Sequence, residues 1–135
     1  MPEIEFTAPF KALPQGSKTA FVVKGRAVVT DAHKGLIPER KKLSAWLKAQ
    51  AVNSDWIPPR KDTPLSVELV FTFERPKSVK REWHTVKPDI DKLTRFALDA
   101  IVQADLIADD NQIVAINAFK VYGEHNSIWI RVSDE

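Results

Sequence analysis

Residues 87–114 read KPDIDKLTRFALDAIVQADLIADDNQIV, and the fold turns on how this stretch is read. An Asp-x-Asp pair, Asp89 and Asp91, follows directly on Pro88. Ile90, Leu93, Ala97, Ala100, Ile101 and Ala104 then recur at helical spacing. That spacing predicts a helix from about Asp89 to Ala104 with its apolar stripe against a sheet. Phe96 widens the stripe, whereas Leu98 and Val102 point elsewhere and suggest a second apolar contact such as a subunit partner. A second acidic pair, Asp109-Asp110, closes the stretch ahead of an apolar run. Two groups of hard oxygen ligands are thus separated by one helix and a turn.

Working outward, residues 112–121 and 127–132 read as strands, and Gly123 in the short join predicts that they form a hairpin. Upstream, residues 65–73 alternate cleanly. Leu65, Val67, Leu69, Phe71 and Phe73 fill one face, with Val70 the exception opposite, as expected of a strand in the middle of a sheet. Residues 74–87 are polar and basic without a period, and read as a loop that orders on substrate. A helix is predicted from Glu39 to about Val52, with Pro38 in its first turn and Leu43, Trp46 and Leu47 on its core face. Residues 2–8 alternate as a half-buried strand, and residues 20–30 form two β-branched runs around Lys24-Gly25, a hairpin signal. The expectation is an α+β fold, a small mixed sheet with hairpins packed against two main helices. With no repeat or linker, it occupies a single domain over 1–135.

A charged fraction of 28% against an apolar 44% is ordinary for a soluble protein. The absence of cysteine excludes disulfides and zinc–thiolate sites. No signal peptide and no membrane-length apolar run are read, so a cytoplasmic location without membrane partners is expected. The net charge of +2 is unevenly spread. Residues 31–61 carry seven Lys/Arg against three Asp/Glu, residues 75–87 five against one, and residues 88–112 two against six. An acidic centre between basic flanks suits a metal-using enzyme acting on a polyanion, although charge runs are also ordinary solvated faces.

Phosphodiesters hydrolyse slowly because attack adds negative charge to an anion. Magnesium neutralises non-bridging oxygens and delivers water, and two or three carboxylates suffice to hold it. Two residues within a helix are about 200° apart, so Asp89 and Asp91 cannot converge from mid-helix. At a helix start they can, because Pro88 leaves Asp89 extended while Asp91 is helical. A third ligand would come from Asp109 or Asp110. Arg95, four residues after Asp91, reads as a clamp for developing phosphate charge or as a plain helix salt bridge. Asp at a helix start is also an ordinary cap. Lys18, Lys24 and Arg26 near the first hairpin suit phosphate contacts or solubilising edge charges. Trp83 and His84 suit base stacking or pinning of their loop. No Gly-rich phosphate loop exists, and His33, His84 and His125 are scattered without metal-binding spacing.

The run KPDIDKLTRFALDAI followed by DDNQIV resembles the RusA family of Holliday junction resolvases, whose pattern is approximately KPD-x-DNL-x-K-x-x-x-D-A-L and then D-D-x-Q-V-V. The segment SKTAFVVKGRAVVTD looks like that family's basic N-terminal region, more loosely. The resemblance implies a homodimer that cuts opposed strands of a four-way DNA junction, with Mg2+ as cofactor and Mn2+ as a substitute. It implies metal ligands at Asp89, Asp91 and Asp110. The family's essential lysine falls on Arg95, which can neutralise phosphate but does not readily give up a proton. The usual asparagine after the second Asp is Lys92, a cation beside the site that can share the lysine's role. Asp99 also matches the pattern, or simply caps or pairs within the helix. Lys18, Lys24, Arg26, Lys77, Lys80, Arg81, Lys87 and Lys92 are the expected DNA contacts. The alternative is a catalytically weak or inactive branched-DNA-binding protein of the same fold.

Overall fold

The computed structural model describes residues 2–16, 18–31 and 35–134; the Lys18 side chain and all of His33 lie outside the described residues. In chain order the elements are β1 (Glu3–Ala8), β2 (Lys18–Val23), β3 (Arg26–Asp31), α1 (Leu36–Asn53), β4 (Leu65–Glu74), α2 (Ile90–Gln103), β5 (Ile113–Gly123) and β6 (Ser127–Asp134). A single 3-10 turn, Asp110–Gln112, leads into β5. Four strands form one mixed sheet in the order β1-β6-β4-β5, and β2 and β3 form a separate two-stranded ribbon. The architecture is α+β, with two helices on a mixed sheet.

The alternation of residues 65–73 places β4 where it was expected. Leu65, Val67, Leu69, Phe71 and Phe73 are all buried, and β4 is paired on both edges. α2 lays Leu93, Phe96, Ala97, Ala100 and Ile101 into the same core, and α1 adds Leu36, Leu43, Leu47 and Ala51. At about 25 cal/mol per Å2 of apolar surface removed from water, this shared core dominates the stability of the fold. Trp46 of α1 closes the β1 side edge-on to Phe6 and Phe10, with ring centroids 6.0 and 6.3 Å away. α1 begins at Leu36, earlier than Glu39. Pro38 still falls in the first turn, where its missing N–H costs nothing.

Two expectations are corrected. β5 and β6 are not a hairpin: β5 pairs parallel to β4 and β6 pairs antiparallel to it, so β4 lies between them. The join passes over the end of β4, where the Glu74 backbone N–H donates to Asn126 Oδ1 at 2.9 Å. A short glycine-containing connection specifies proximity of the strand ends, and the all-apolar face of β4 decides which strand takes the centre. Leu98 and Val102 do not point away from the core; both are half-buried against it. The unpartnered apolar surface is instead on β5, an edge strand with Val114, Ile116 and Phe119 exposed. The β2–β3 hairpin forms as read, with positive φ at both Lys24 (49°) and Gly25 (79°), the conformation of a two-residue type I′ turn.

Candidate metal centre and nucleic-acid interface

α2 is the crossover between the parallel strands β4 and β5, so its N-terminus emerges at the end of the sheet where β4 and β5 finish. Asp89 is the residue before the helix, extended at φ −71° and ψ 142°, and Asp91 lies in the first helical turn. Asp89 occupies the cap position, yet its side chain makes no capping hydrogen bond. Its Oδ2 lies 3.7 Å from Lys92 Nζ instead. The ordinary explanation for an aspartate here, a helix cap, is therefore not realised. Both carboxylates are exposed, and both line an open cleft of about 490 Å3 shared with Trp83, His84, Phe119 and Lys120. On its other side Asp89 borders a smaller cleft of about 290 Å3, walled by Pro14, Lys87, Pro88 and Lys92.

The segment leading into the first hairpin docks on α2. The Gln15 N–H donates to Lys92 O at 3.0 Å. Gly16, at φ +110°, lies against the Arg95 guanidinium, and a Cβ there would come within 2.6 Å of Nη1. Its backbone conformation favours glycine, whereas the arginine end could swing aside for a Cβ. Arg95 itself is exposed one turn beyond Asp91. Asp99 is committed to structure: Gln15 Nε2 donates to it, and Arg40 of α1 lies 3.9 Å away while donating to Gln15 Oε1 at 2.6 Å.

The basic loop 75–88 returns along the last residues of β5. Its Glu82 O accepts from Tyr122 N–H at 2.8 Å, and its His84 N–H donates to Lys120 O at 3.1 Å. The pin is His84 rather than Trp83. His84 is 7% exposed, its ring stacked on Phe73 at 4.2 Å and tilted against Tyr122 at 4.9 Å. Trp83 is 53% exposed beside Phe119, free to meet a base. Lys77, Lys80, Arg81 and Lys87 are all exposed on this loop, at the same end of the sheet as Asp89 and Asp91. Arg81 also sits over the Tyr122 ring, 5.4 Å from its centroid. Lys24 and Arg26 are exposed at the turn of the hairpin.

Burial, assisted by the nearby Lys120 charge, holds the His84 imidazole below its usual 6.5. Its folded-state value is lower than its unfolded one, so its contribution to stability is fully present above about pH 6.5. It is lost as pH falls through the folded value. The thermal midpoint should therefore drop between pH 7.5 and 5, and His84→Phe should flatten that part of the profile. An unchanged slope in the variant would show that another group titrates.

At the opposite end of α2, Asp109 is consumed by local structure. Its Oδ1 accepts from Asn111 N–H at 2.9 Å, and Gln112 Oε1 accepts from Asp109 N–H at 3.0 Å, a reciprocal capping box. The Asn111 N–H holds Asp109 below the ordinary carboxylate range. Gln112 is buried and spends its amide on Arg60 O and Thr63 O, at 2.7 and 3.2 Å. Asp110 remains exposed, and hydrogen bonding to Asp109, burial and the charges of Asp109 and Asp99 push it above the usual range.

One chain does not bring the two clusters together. The 14 residues of α2 span about 21 Å. Lys120, which touches Pro88, is seven residues along β5 from Ile113, or about 23 Å. Among the described residues no three His, Asp or Glu side chains are grouped so as to hold an ion. Asp89 and Asp91, two exposed carboxylates on one cleft, fit as donors for a hard divalent ion.

The model of one protein family, Endodeoxyribonuclease RusA, matches residues 13–133, nearly the whole chain. The chain belongs to the RusA endodeoxyribonuclease family. A crossover junction endodeoxyribonuclease rusA of Lactococcus phage r1t is 36% identical over 76 residues. That alignment covers 55% of this chain and 57% of the phage protein, so the chain spans little more than half of that relative's length. The RusA match takes in the entry segment, the basic loop and both acidic clusters. Two residues that organise the site had no assigned role in the sequence. Gln112 was detectable as the last member of an Asp-x-x-Gln capping box. Lys120 was not: a single lysine in a strand carries no local signal. No helix among the described residues is long and apolar enough to cross a membrane.

Proposed function

We propose that the chain is a Mg2+-dependent endonuclease that cuts branched DNA, four-way junctions above all, as a homodimer, with Mn2+ able to substitute. One observation carries the reading: Asp89 and Asp91 are exposed, Asp89 makes no capping hydrogen bond, and both open on one cleft at the foot of a basic loop. When bound there, the ion supplies charge neutralisation at the scissile phosphate and a poised nucleophile. The protein holds the strand through Lys24, Arg26, Lys77, Lys80, Arg81, Lys87 and Lys92, with Lys18 assigned to the same role. Arg95, carried on the helix beside the cleft, stabilises the charge that develops on phosphate. Trp83 offers an aromatic face for a base unstacked at the branch point.

The third ligand in this reading is the partner's Asp110. Its own chain holds it roughly 20 Å from Asp89. β5 is an edge strand with exposed apolar side chains, a feature that proteins normally cover. The loop occupies the edge only near residues 120–122, through the bridge at Val121 and its neighbouring hydrogen bonds. Antiparallel pairing of the free part with a second copy, about a two-fold axis near Ile116, sets the start of one β5 beside the end of the other. The partner's Asp110 then approaches the Asp89–Asp91 cleft, and two equivalent sites result.

The test is cleavage of a synthetic four-way junction by the wild-type protein with Mg2+, Mn2+, Ca2+ or EDTA. Paired nicks with Mg2+ and Mn2+ and none with EDTA are expected. Salt-sensitive junction binding without cleavage in any metal would place the chain among DNA-binding proteins of this fold that do not cut.

A further inference from the structure

We infer that Lys120 is a positioning residue for the metal site, and that it acts through the backbone on either side of Pro88. This rests on the metal-site reading above and extends it to a residue outside both acidic clusters. Lys120 lies on β5, more than twenty residues in sequence from Asp89 and Asp91, yet its side chain lines their cleft. Its Nζ donates to Val86 O at 2.7 Å and to Pro88 O at 2.6 Å. Its own carbonyl accepts from the His84 N–H at 3.1 Å. One residue of a rigid strand therefore holds the loop at three points, residues 84, 86 and 88.

The consequence falls on Asp89. The Asp89 carbonyl accepts the first helical hydrogen bond, from Leu93 N–H at 3.2 Å, but its side chain makes no cap bond. Besides the Lys92 ammonium 3.7 Å away, the path of the chain entering it sets where this carboxylate lies, and Lys120 fixes the carbonyl of the residue immediately before. The next ligand, Asp91, is carried by the helix itself. Lys120 thus sets the relative placement of the two carboxylates, as groups behind metal ligands commonly do; removing such groups typically costs about 10–100-fold in metal affinity. Its charge, felt by Asp89, also tempers repulsion between the two acids before an ion arrives.

The experiment measures Mn2+ binding to the full-length protein by electron paramagnetic resonance, alongside junction cleavage as a function of metal concentration. Lys120→Met keeps the length of the side chain and removes its donors. It should weaken Mn2+ by at least about tenfold and raise the metal concentration for half-maximal cleavage in parallel, with the rate at saturating metal recovering towards wild type. Lys120→Arg, which can still donate to both carbonyls, should restore affinity to within about threefold. Unchanged Mn2+ affinity in folded Lys120→Met would overturn the assignment. Should that variant not fold, Lys120→Gln reads the same quantity, a loss of about fivefold or more supporting the assignment and wild-type affinity overturning it. Asp89→Asn serves as the control for the site itself. If wild type and Asp89→Asn bind Mn2+ alike, the metal-site reading fails and this one with it; if they differ and Lys120→Met matches wild type, only the role of Lys120 fails.

Discussion

Asp91→Asn is expected to reduce Mg2+-dependent junction cleavage roughly a thousandfold, corresponding to about 4 kcal/mol of lost transition-state stabilisation. Binding of the same junction in Ca2+ should be retained. The substitution preserves the size and shape of the side chain, removes its charge and turns one acceptor oxygen into an NH2 donor. Asp91 is exposed in the first turn of α2, where an acidic residue also favours the helix dipole. A purely helical role would therefore give a slightly less stable protein that cuts at the wild-type rate. The two roles separate cleanly in a pair of measurements, a thermal melt and a single-turnover cleavage rate. Wild-type cleavage by Asp91→Asn would remove Asp91 from the site.

Phe71→Ala should cost about 3–5 kcal/mol, against a net stability for domains of this size of roughly 5–15 kcal/mol. Phe71 has no exposed surface and sits on the central strand, facing a core to which both helices contribute. Truncation removes most of an aromatic ring from between packed elements that have little freedom to close the gap. The midpoint of denaturant unfolding, measured at fixed protein concentration, should shift accordingly. Phe71→Leu should lose much less, because it keeps most of the volume. A loss below about 1 kcal/mol for the alanine variant would mean that β4 is not the centre of the core.

Most of the elements were legible because each is amphipathic with the period of its own secondary structure. The alternation of β4 and the helical recurrence in α2 identified both, and Lys24-Gly25 marked the hairpin. What could not be read was the order of strands. The join between β5 and β6 is as short as a hairpin loop, and nothing local states that β4 inserts between them. The extended backbone of Asp89 followed from Pro88, and its structure matches that reading. The distance between the acidic clusters did not follow from the sequence, because it depends on α2 and β5 running antiparallel along their lengths. Nor did Leu98 and Val102 reveal their partners, since a wide apolar stripe can serve an intramolecular core or a subunit contact. Lys120 was invisible for the same reason as the strand order: its partners are remote in sequence.

The most direct measurement mixes two inactive variants. Asp91→Asn and Asp110→Asn proteins, each incubated alone with a labelled four-way junction and Mg2+, should be inactive. If each site joins Asp89 and Asp91 of one chain to the partner's Asp110, a mixed dimer contains one doubly broken site and one intact site. Co-refolded at equal amounts, about half the dimers are mixed, and single-strand nicking should reappear without paired cleavage. A mixture as inactive as its two components, with mixed dimers demonstrated by differential tagging, would contradict sites shared between the chains.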